Sequence, residues 1–177
     1  MRVSSTLIFL VSLAVSGLAT VDQVKTDITT ISSQLQKLDA SISAFPNTGG
    51  TLSQALVIHS NAVNLKSSID QGTTDVKATP PPLSEDDAKS ILASFETMAE
   101  TVNDTLAGIM SKKAAIQALP FGGAISLVKQ DLDNLNTSTS AFEGALIAQA
   151  PSDLQDEAAT LKGRIDDAFS TAIAAFS

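Results

Sequence analysis

Residues 21–45 read VDQVKTDITTISSQLQKLDASISAF, and this stretch decides the fold class. Its apolar residues recur at alternating steps of three and four, which places them on one face of an α-helix. The stripe consists of Val21, Val24, Ile28, Ile31, Leu35, Leu38, Ile42 and Phe45. Such regular spacing is typical of a helix that packs lengthwise against other helices. The stretch therefore predicts a long helix over 21–45, ended by the turn-forming residues 46–50.

A second helix is predicted over 51–77. It opens with Thr51-x-x-Gln54, a capping box in which the two side chains bond each other's backbone amides. Its apolar positions are Leu52, Ala55, Leu56, Ile58, Ala62, Val63, Leu65 and Ile69. They cover about half of the helix circumference, so we expect this helix to be more buried than the first. The run Pro80–Pro82 cannot continue a helix because proline lacks an N–H group, and it predicts a stiff linker.

Three further helices are predicted over 84–119, 123–150 and 152–176. Ser84 is a suitable cap for the third, where Gly108 is a candidate bend, and Ser152 with Gln155 forms a second capping-box pattern. No segment alternates apolar and polar residues as a half-buried strand does. Long helices joined by short loops are typical of an up-and-down bundle. The sequence therefore predicts an all-α, single-domain bundle of about five amphipathic helices over 20–177.

Composition excludes several classes of function. The chain has 177 residues, no Cys, one His and a formal net charge of −8. This acidic balance argues against nucleic-acid binding, which needs an excess of Lys and Arg. Without thiols and with a single imidazole, the chain has no zinc cluster or Cys-His catalytic pair. The segment Asp131–Asn136 departs from a calcium loop at its fifth and sixth positions. We predict a protein that is not an enzyme and holds no metal or cofactor.

The amino terminus has the pattern of a secretory signal peptide over 1–19. Arg2 gives a positive start, residues 7–15 are apolar, and Gly17-Leu18-Ala19 has the small-x-small pattern of a cleavage site. We expect cleavage after Ala19 and a secreted product. No later stretch is long and apolar enough to span a membrane. The terminal apolar run, 172–176, is too short for a GPI signal.

The order of several motifs resembles that of the fungal hydrophobic surface-binding proteins, a family that overlaps with the secreted cell-wall galactomannoproteins. The resemblance covers nearly the whole chain after the signal peptide. It is carried by the segments 82–88 (PLSEDDA), 112–113 (KK), 128–132 (VKQDL), 146–151, 165–169 (IDDAF) and 172–176 (AIAAF).

The resemblance implies a secreted, non-enzymatic helical protein that adsorbs to hydrophobic solids or holds a long-chain lipid between its helices. Some members of the family assist a polyester hydrolase on a hydrophobic surface, and others are wall antigens that bind fatty acids. The chain lacks the Ser/Thr-rich stalk of the wall-bound members, which favours release into the medium over wall association. The alternatives are a structural, antigenic wall mannoprotein and a protein-interaction module without a lipid ligand.

The apolar stripes of the third and fourth predicted helices supply candidate lipid-facing residues. These are Leu92, Phe95, Met98, Val102, Leu106, Phe142 and Leu146. Met is flexible and suits a pocket that tolerates different shapes. The alternative is that these residues form an ordinary bundle core, because a periodic stripe indicates burial without showing what covers it.

His59 and Lys66 interrupt the apolar stripe of the second predicted helix. They lie seven residues apart and so share one side of the helix. A cation in an apolar groove would attract a fatty-acid carboxylate, which makes both residues candidate head-group anchors. The alternative is a hydrogen-bonded neutral His59 and a Lys66 that extends its ammonium group to water.

Two N-glycosylation sequons are present. They begin at Asn103 (Asn-Asp-Thr) and Asn136 (Asn-Thr-Ser), and neither has Pro at its middle position. Because export is predicted, we expect both asparagines to be candidates for a glycan.

Overall fold

A computed structural model of the protein describes residues 19–120 and 122–177, and every regular element in these ranges is a helix. The elements are α1 (Val21–Ala44), α2 (Leu52–Ala78), α3 (Glu85–Ser111), α4 (Lys113–Gln117), α5 (Ala124–Gln149) and α6 (Gln155–Ala175). The all-α class is confirmed, and the arrangement is consistent with an up-and-down bundle. The predicted signal peptide lies outside the described residues, apart from Ala19.

The first helix begins at Val21, as its apolar stripe predicts, and the second begins after its predicted capping box. The Thr20 side chain accepts a hydrogen bond from the backbone N–H of Gln23, and α1 ends before Pro46. Thr51 and Gln54 form the predicted capping box, so two amide groups at the start of α2 are satisfied. The helix ends at Ala78, directly before the proline run.

The expectation that α2 is more buried than α1 is wrong. Leu52, Leu56, Val57 and Val63 are between 39% and 51% exposed, whereas every predicted stripe position of α1 after Val21 is buried. The wide apolar arc of α2 therefore extends beyond the face that packs against its neighbours. Its first half presents apolar side chains to solvent.

The predicted third helix is divided, which raises the number of helices in the described residues from about five to six. The division falls at Lys112, whose backbone N–H donates to the carbonyl of Ile109. This bond spans three residues instead of four and tightens the turn, which separates α4 from α3. Gly108, the candidate bend, remains inside α3, where a Cβ atom would lie 3.2 Å from Ile42 of α1.

The last helix begins three residues later than predicted. The Ser152 capping box is wrong, because the residue that precedes α6 is Leu154 and no side chain caps it. Leu154 instead donates its backbone N–H to Pro151, which makes a separate turn of residues 151–154. The Gln155 side chain donates back to the carbonyl of Ala150.

The five long helices form a closed ring. Around the ring, α1 packs against α2, α2 against α5, α5 against α6, α6 against α3, and α3 against α1. The short α4 packs against α3 and α5. Because each long helix packs mainly against two others, their apolar stripes face a common centre without filling it. No helix in the described part of the chain is both long enough and apolar enough to cross a membrane.

Candidate functional site

The centre of the ring contains an elongated apolar cavity. All five long helices line it, for example through Ile31, Leu65, Leu106, Leu135 and Ile165. The empty space between the lining side chains, counted out to its openings, is about 860 Å³. That figure includes open solvent at the openings, and the centre of a water-sized molecule fits in about 80 Å³ of the space. The cavity is therefore a gap in the core whose apolar walls come from every long helix.

Few polar side chains reach the central cavity. Among the described residues they are Thr105, Asp131 and Thr139. The hydroxyl of Thr105 is buried and donates to the carbonyl of Thr101 within its own helix. Burial raises the pKa of Asp131, although its hydrogen bond with His59 acts in the opposite direction. Among the described residues that line the central cavity, Asp131 is thus the one ionisable side chain, and it is bonded to His59.

The predicted lipid-facing residues divide between two cavities. Phe95, Met98, Val102, Leu106 and Phe142 line the central cavity. A second cavity, of about 490 Å³, is lined by the other two predicted residues, Leu92 and Leu146, together with Phe95. That these side chains contact a lipid stays a prediction, since an apolar lining is also what a core contains.

The two candidate head-group anchors lie in different surroundings. His59 Nδ1 is 2.9 Å from Asp131 Oδ2, and both residues line a third, smaller hollow between α2 and α5. Lys66 lines none of the three cavities; its Nζ is 2.5 Å from Asp70 Oδ2, on the exposed side of α2. A head-group role stays a prediction for both residues, and the geometry favours His59.

The second cavity lies between α3, α5 and α6, beside the loops that precede α3 and α6. Its walls are apolar except for Glu143 and Lys162. Glu143 is 4% exposed, and neither of its carboxyl oxygens has a hydrogen-bond partner among the described residues. The Lys162 ammonium group is 3.9 Å from Glu143 Oε2, beyond hydrogen-bond distance.

Burial determines the protonation of Glu143. Loss of hydration raises the pKa of its carboxyl to about 8, although Lys162 acts in the opposite direction. At neutral pH the carboxyl is therefore mainly protonated and neutral. Lys162 is bound instead to Ser140 and Asp166, each at 2.5 Å.

Sequence reasoning missed Glu143 and Asp131 as lining residues. A signal for Glu143 was present, because it follows Leu132 by eleven residues and so points within about 20° of it on a helix of 3.6 residues per turn. Leu132 belongs to the buried stripe of α5. An acidic residue that shares the direction of a buried stripe is a candidate for a functional buried carboxyl.

The two sequon asparagines differ in accessibility. Asn103 is exposed on α3. Asn136 is half-buried, and its side-chain oxygen is fully buried without a hydrogen-bond partner among the described residues. The structure therefore offers more room for a glycan at Asn103, and occupancy of both sites stays a prediction.

No group of three or more His, Asp and Glu side chains that could hold a metal ion occurs in residues 19–120 and 122–177. The absence of a metal and of a cofactor stays a prediction.

The fold and the cavities define a class of protein, a helical bundle with an apolar interior cavity. The family model described as hydrophobic surface binding protein A matches residues 21–148. The chain belongs to this family. None of the curated proteins matches it.

Solved structures share the fold. Afmp4p, in a crystal structure described as a complex with palmitic acid, is 32% identical over 89% of this chain and 99% of its own, with a TM-score of 0.82. Ligand binding domain 1 of the Penicillium marneffei MP1 protein, described as complexed with arachidonic acids, is 19% identical over 86% of this chain and 95% of its own, with a TM-score of 0.77. At that identity, the second likeness shows the fold alone.

Proposed function

We propose that the protein is a carrier of long-chain lipids and that the central cavity holds the aliphatic chain of a fatty-acid-like ligand. The observation that carries this proposal is the ring of five helices around a central cavity whose lining is almost wholly apolar. Burying apolar surface there contributes roughly 25 cal/mol per Å². The palmitic acid complex of Afmp4p supports a fatty acid as the ligand.

The head group is best placed beside His59 and Asp131. Asp131 lines both the central cavity and the small hollow between α2 and α5, so this pair lies where the interior approaches the surface. Because His59 Nδ1 is bound to Asp131, the donor that we propose for a ligand carboxylate is the other ring nitrogen, Nε2. A hydrogen bond to a charged group is worth about 1.5–3 kcal/mol.

The test is to fill the central cavity. Ala62 is 4% exposed and lines it. An Ala62→Phe variant should bind palmitate at least about tenfold more weakly, which corresponds to 1.4 kcal/mol. Ala107→Phe, the same change at an exposed position of α3, should bind as wild type does. Titration calorimetry measures the palmitate affinity of both variants. Equal affinities would show that palmitate does not bind in the central cavity.

A second function, adsorption to hydrophobic solids, is favoured by the exposed apolar residues of α2. Leu52, Leu56 and Val63 lie close to one line along the helix and are 39%, 49% and 48% exposed. Apolar contacts of this kind are not weakened by salt. We expect a Leu56→Asp/Val63→Asp variant to adsorb less to polystyrene, and Ser53→Asp/Ser60→Asp to adsorb as wild type does, both in high salt. Equal adsorption of the two variants would argue against this surface.

We further propose that the protein is secreted, and that it acts without catalysis. The signal-peptide pattern of residues 1–19 supports export, and a composition with one His and no Cys supports a non-enzymatic role. A polyester hydrolase as a partner and association with a cell wall are also proposals. A pull-down with a secreted polyester hydrolase in the absence of any solid distinguishes direct contact from co-adsorption to a surface.

A further inference from the structure

The second cavity contains an unpaired buried carboxyl group. Neither oxygen of Glu143 has a hydrogen-bond partner among the described residues, and the side chain is one of two polar groups in the lining. Leaving a buried polar group unpaired destabilises a fold by about 1–3 kcal/mol. A ligand that completes these hydrogen bonds would recover that free energy.

We propose that the second cavity is a separate binding site for an aliphatic alcohol, whose hydroxyl group bonds Glu143 and whose chain lies between α3, α5 and α6. The space between its walls is about 490 Å³ with its open sides included, and the centre of a water-sized molecule fits in about 50 Å³ of it. Leu92, Ile147 and Ala158 are half-buried residues of its lining, so the chain can reach the interior between them.

The chemistry of Glu143 selects a hydroxyl head group. A protonated carboxyl has one O–H group that donates and a carbonyl oxygen that accepts, and a hydroxyl group has the same complementary pair. The two groups satisfy each other without introducing charge.

A fatty-acid anion is a poorer ligand for this cavity. Its carboxylate would bring a second acidic group beside Glu143 within apolar walls, where an unpaired charge is costly. The ammonium group of Lys162 is already bound by Asp166 and Ser140 and is therefore not available as an unpaired cation. The second cavity thus differs from the proposed fatty-acid site in head-group chemistry.

The two cavities meet at one aromatic pair. Phe95 belongs to both linings, and its ring centroid is 5.5 Å from that of Phe142, which lines the central cavity. Ala62 and Glu143 each line only one of the two. Substitutions at these two positions therefore test the cavities separately.

The experiment is a calorimetric titration of the full chain with 1-decanol and with decanoate at pH 7. Glu143→Leu should bind 1-decanol at least about tenfold more weakly, because it loses both hydrogen bonds. Glu143→Gln should stay within about threefold of wild type, since an amide also donates and accepts. Leu92→Phe, which fills the same cavity without changing Glu143, should weaken 1-decanol binding as well. Thermal unfolding at the same pH verifies that each variant is folded.

The outcomes distinguish this site from the central one. We expect Ala62→Phe to lose decanoate and retain 1-decanol. If Ala62→Phe abolishes 1-decanol binding and Glu143→Leu leaves it unchanged, the alcohol site is overturned and the fatty-acid proposal stands. If Glu143→Leu abolishes 1-decanol binding while Ala62→Phe leaves both ligands bound, the alcohol site stands and the fatty-acid proposal fails. An equal loss in Glu143→Gln and Glu143→Leu would overturn the hydrogen-bonding role of Glu143.

Discussion

At the scale of single residues, Glu143 couples the stability of the bundle to pH. Its carboxyl is buried in α5 and has a pKa of about 8 in the folded chain, against an ordinary value of 4.5. The folded state therefore holds this proton more tightly than the unfolded state does. The contribution of Glu143 to stability is full below about pH 4.5 and is lost as the pH rises to about 8.

A Glu143→Gln variant should remove this pH dependence. Between pH 4.5 and pH 8.5 the wild type should lose on the order of 2–4 kcal/mol of unfolding free energy through Glu143. The variant should not show this loss. Urea denaturation at a series of pH values measures the difference. Glu157→Gln, at an exposed position of α6, is the matched control and should follow the wild-type curve. Parallel curves for Glu143→Gln and wild type would contradict the prediction.

At the scale of elements, Gln149 joins the end of α2 to the end of α5. Its side-chain amide donates to the carbonyl oxygens of Val76 and Thr79, each at 3.1 Å, and its own carbonyl accepts from the backbone of Leu83. Gln149 is buried. The side chain of Gln149 thus bonds carbonyls at the end of α2, while its backbone carbonyl accepts from Leu83 at the other end of the proline linker.

Replacing Gln149 with Leu should destabilise the bundle. The change keeps the volume similar but removes the side-chain donor from two carbonyl groups. The carbonyl of Val76 keeps the backbone N–H of Thr79, so the expected cost of about 1–3 kcal/mol comes chiefly from the carbonyl of Thr79. Gln155→Leu is the matched control, because its amide bonds one carbonyl at an exposed position. Chemical denaturation of both variants measures the contrast. A loss for Gln155→Leu as large as for Gln149→Leu would argue against a special role of the buried amide.

At the scale of the whole molecule, the closed ring of five helices leaves room that a ligand can fill. Apolar groups that face empty space lose the dispersion contacts they would make in a filled core. A bound chain restores those contacts with all five long helices. The ligand should therefore stabilise the bundle as a unit.

This coupling is measurable as a thermal shift. At a free palmitate concentration of 100 times Kd, ligand binding adds about 2.7 kcal/mol to the stability of the folded state. For a domain of this size we expect Tm to rise by about 5–10 °C. Ala62→Phe should show a much smaller shift, while Ala107→Phe should respond as wild type does. Equal shifts in the two variants would show that palmitate acts elsewhere on the molecule.

The sequence by itself determined the elements whose causes are local. The three-and-four spacing of α1, the capping box at Thr51, the Ser84 cap and the proline run all act within a few residues of the chain, so they predict the helices and most of their ends. Local patterns failed at Lys112 and Ser152. There, the backbone of the neighbouring turn forms bonds that compete with a regular helix.

Only the tertiary structure decided what the apolar stripes face. An apolar stripe indicates that its side chains are buried. The pattern is the same whether the stripe faces another helix or an empty space. The pairing of the helices out of chain order, α1 with α3 and α2 with α5, leaves a central cavity and divides the predicted lipid-facing residues between two cavities. It also brings Asp131 to His59 across 72 positions of sequence and buries Glu143 beside Lys162. Such contacts depend on the packing of distant segments, which no local spacing encodes.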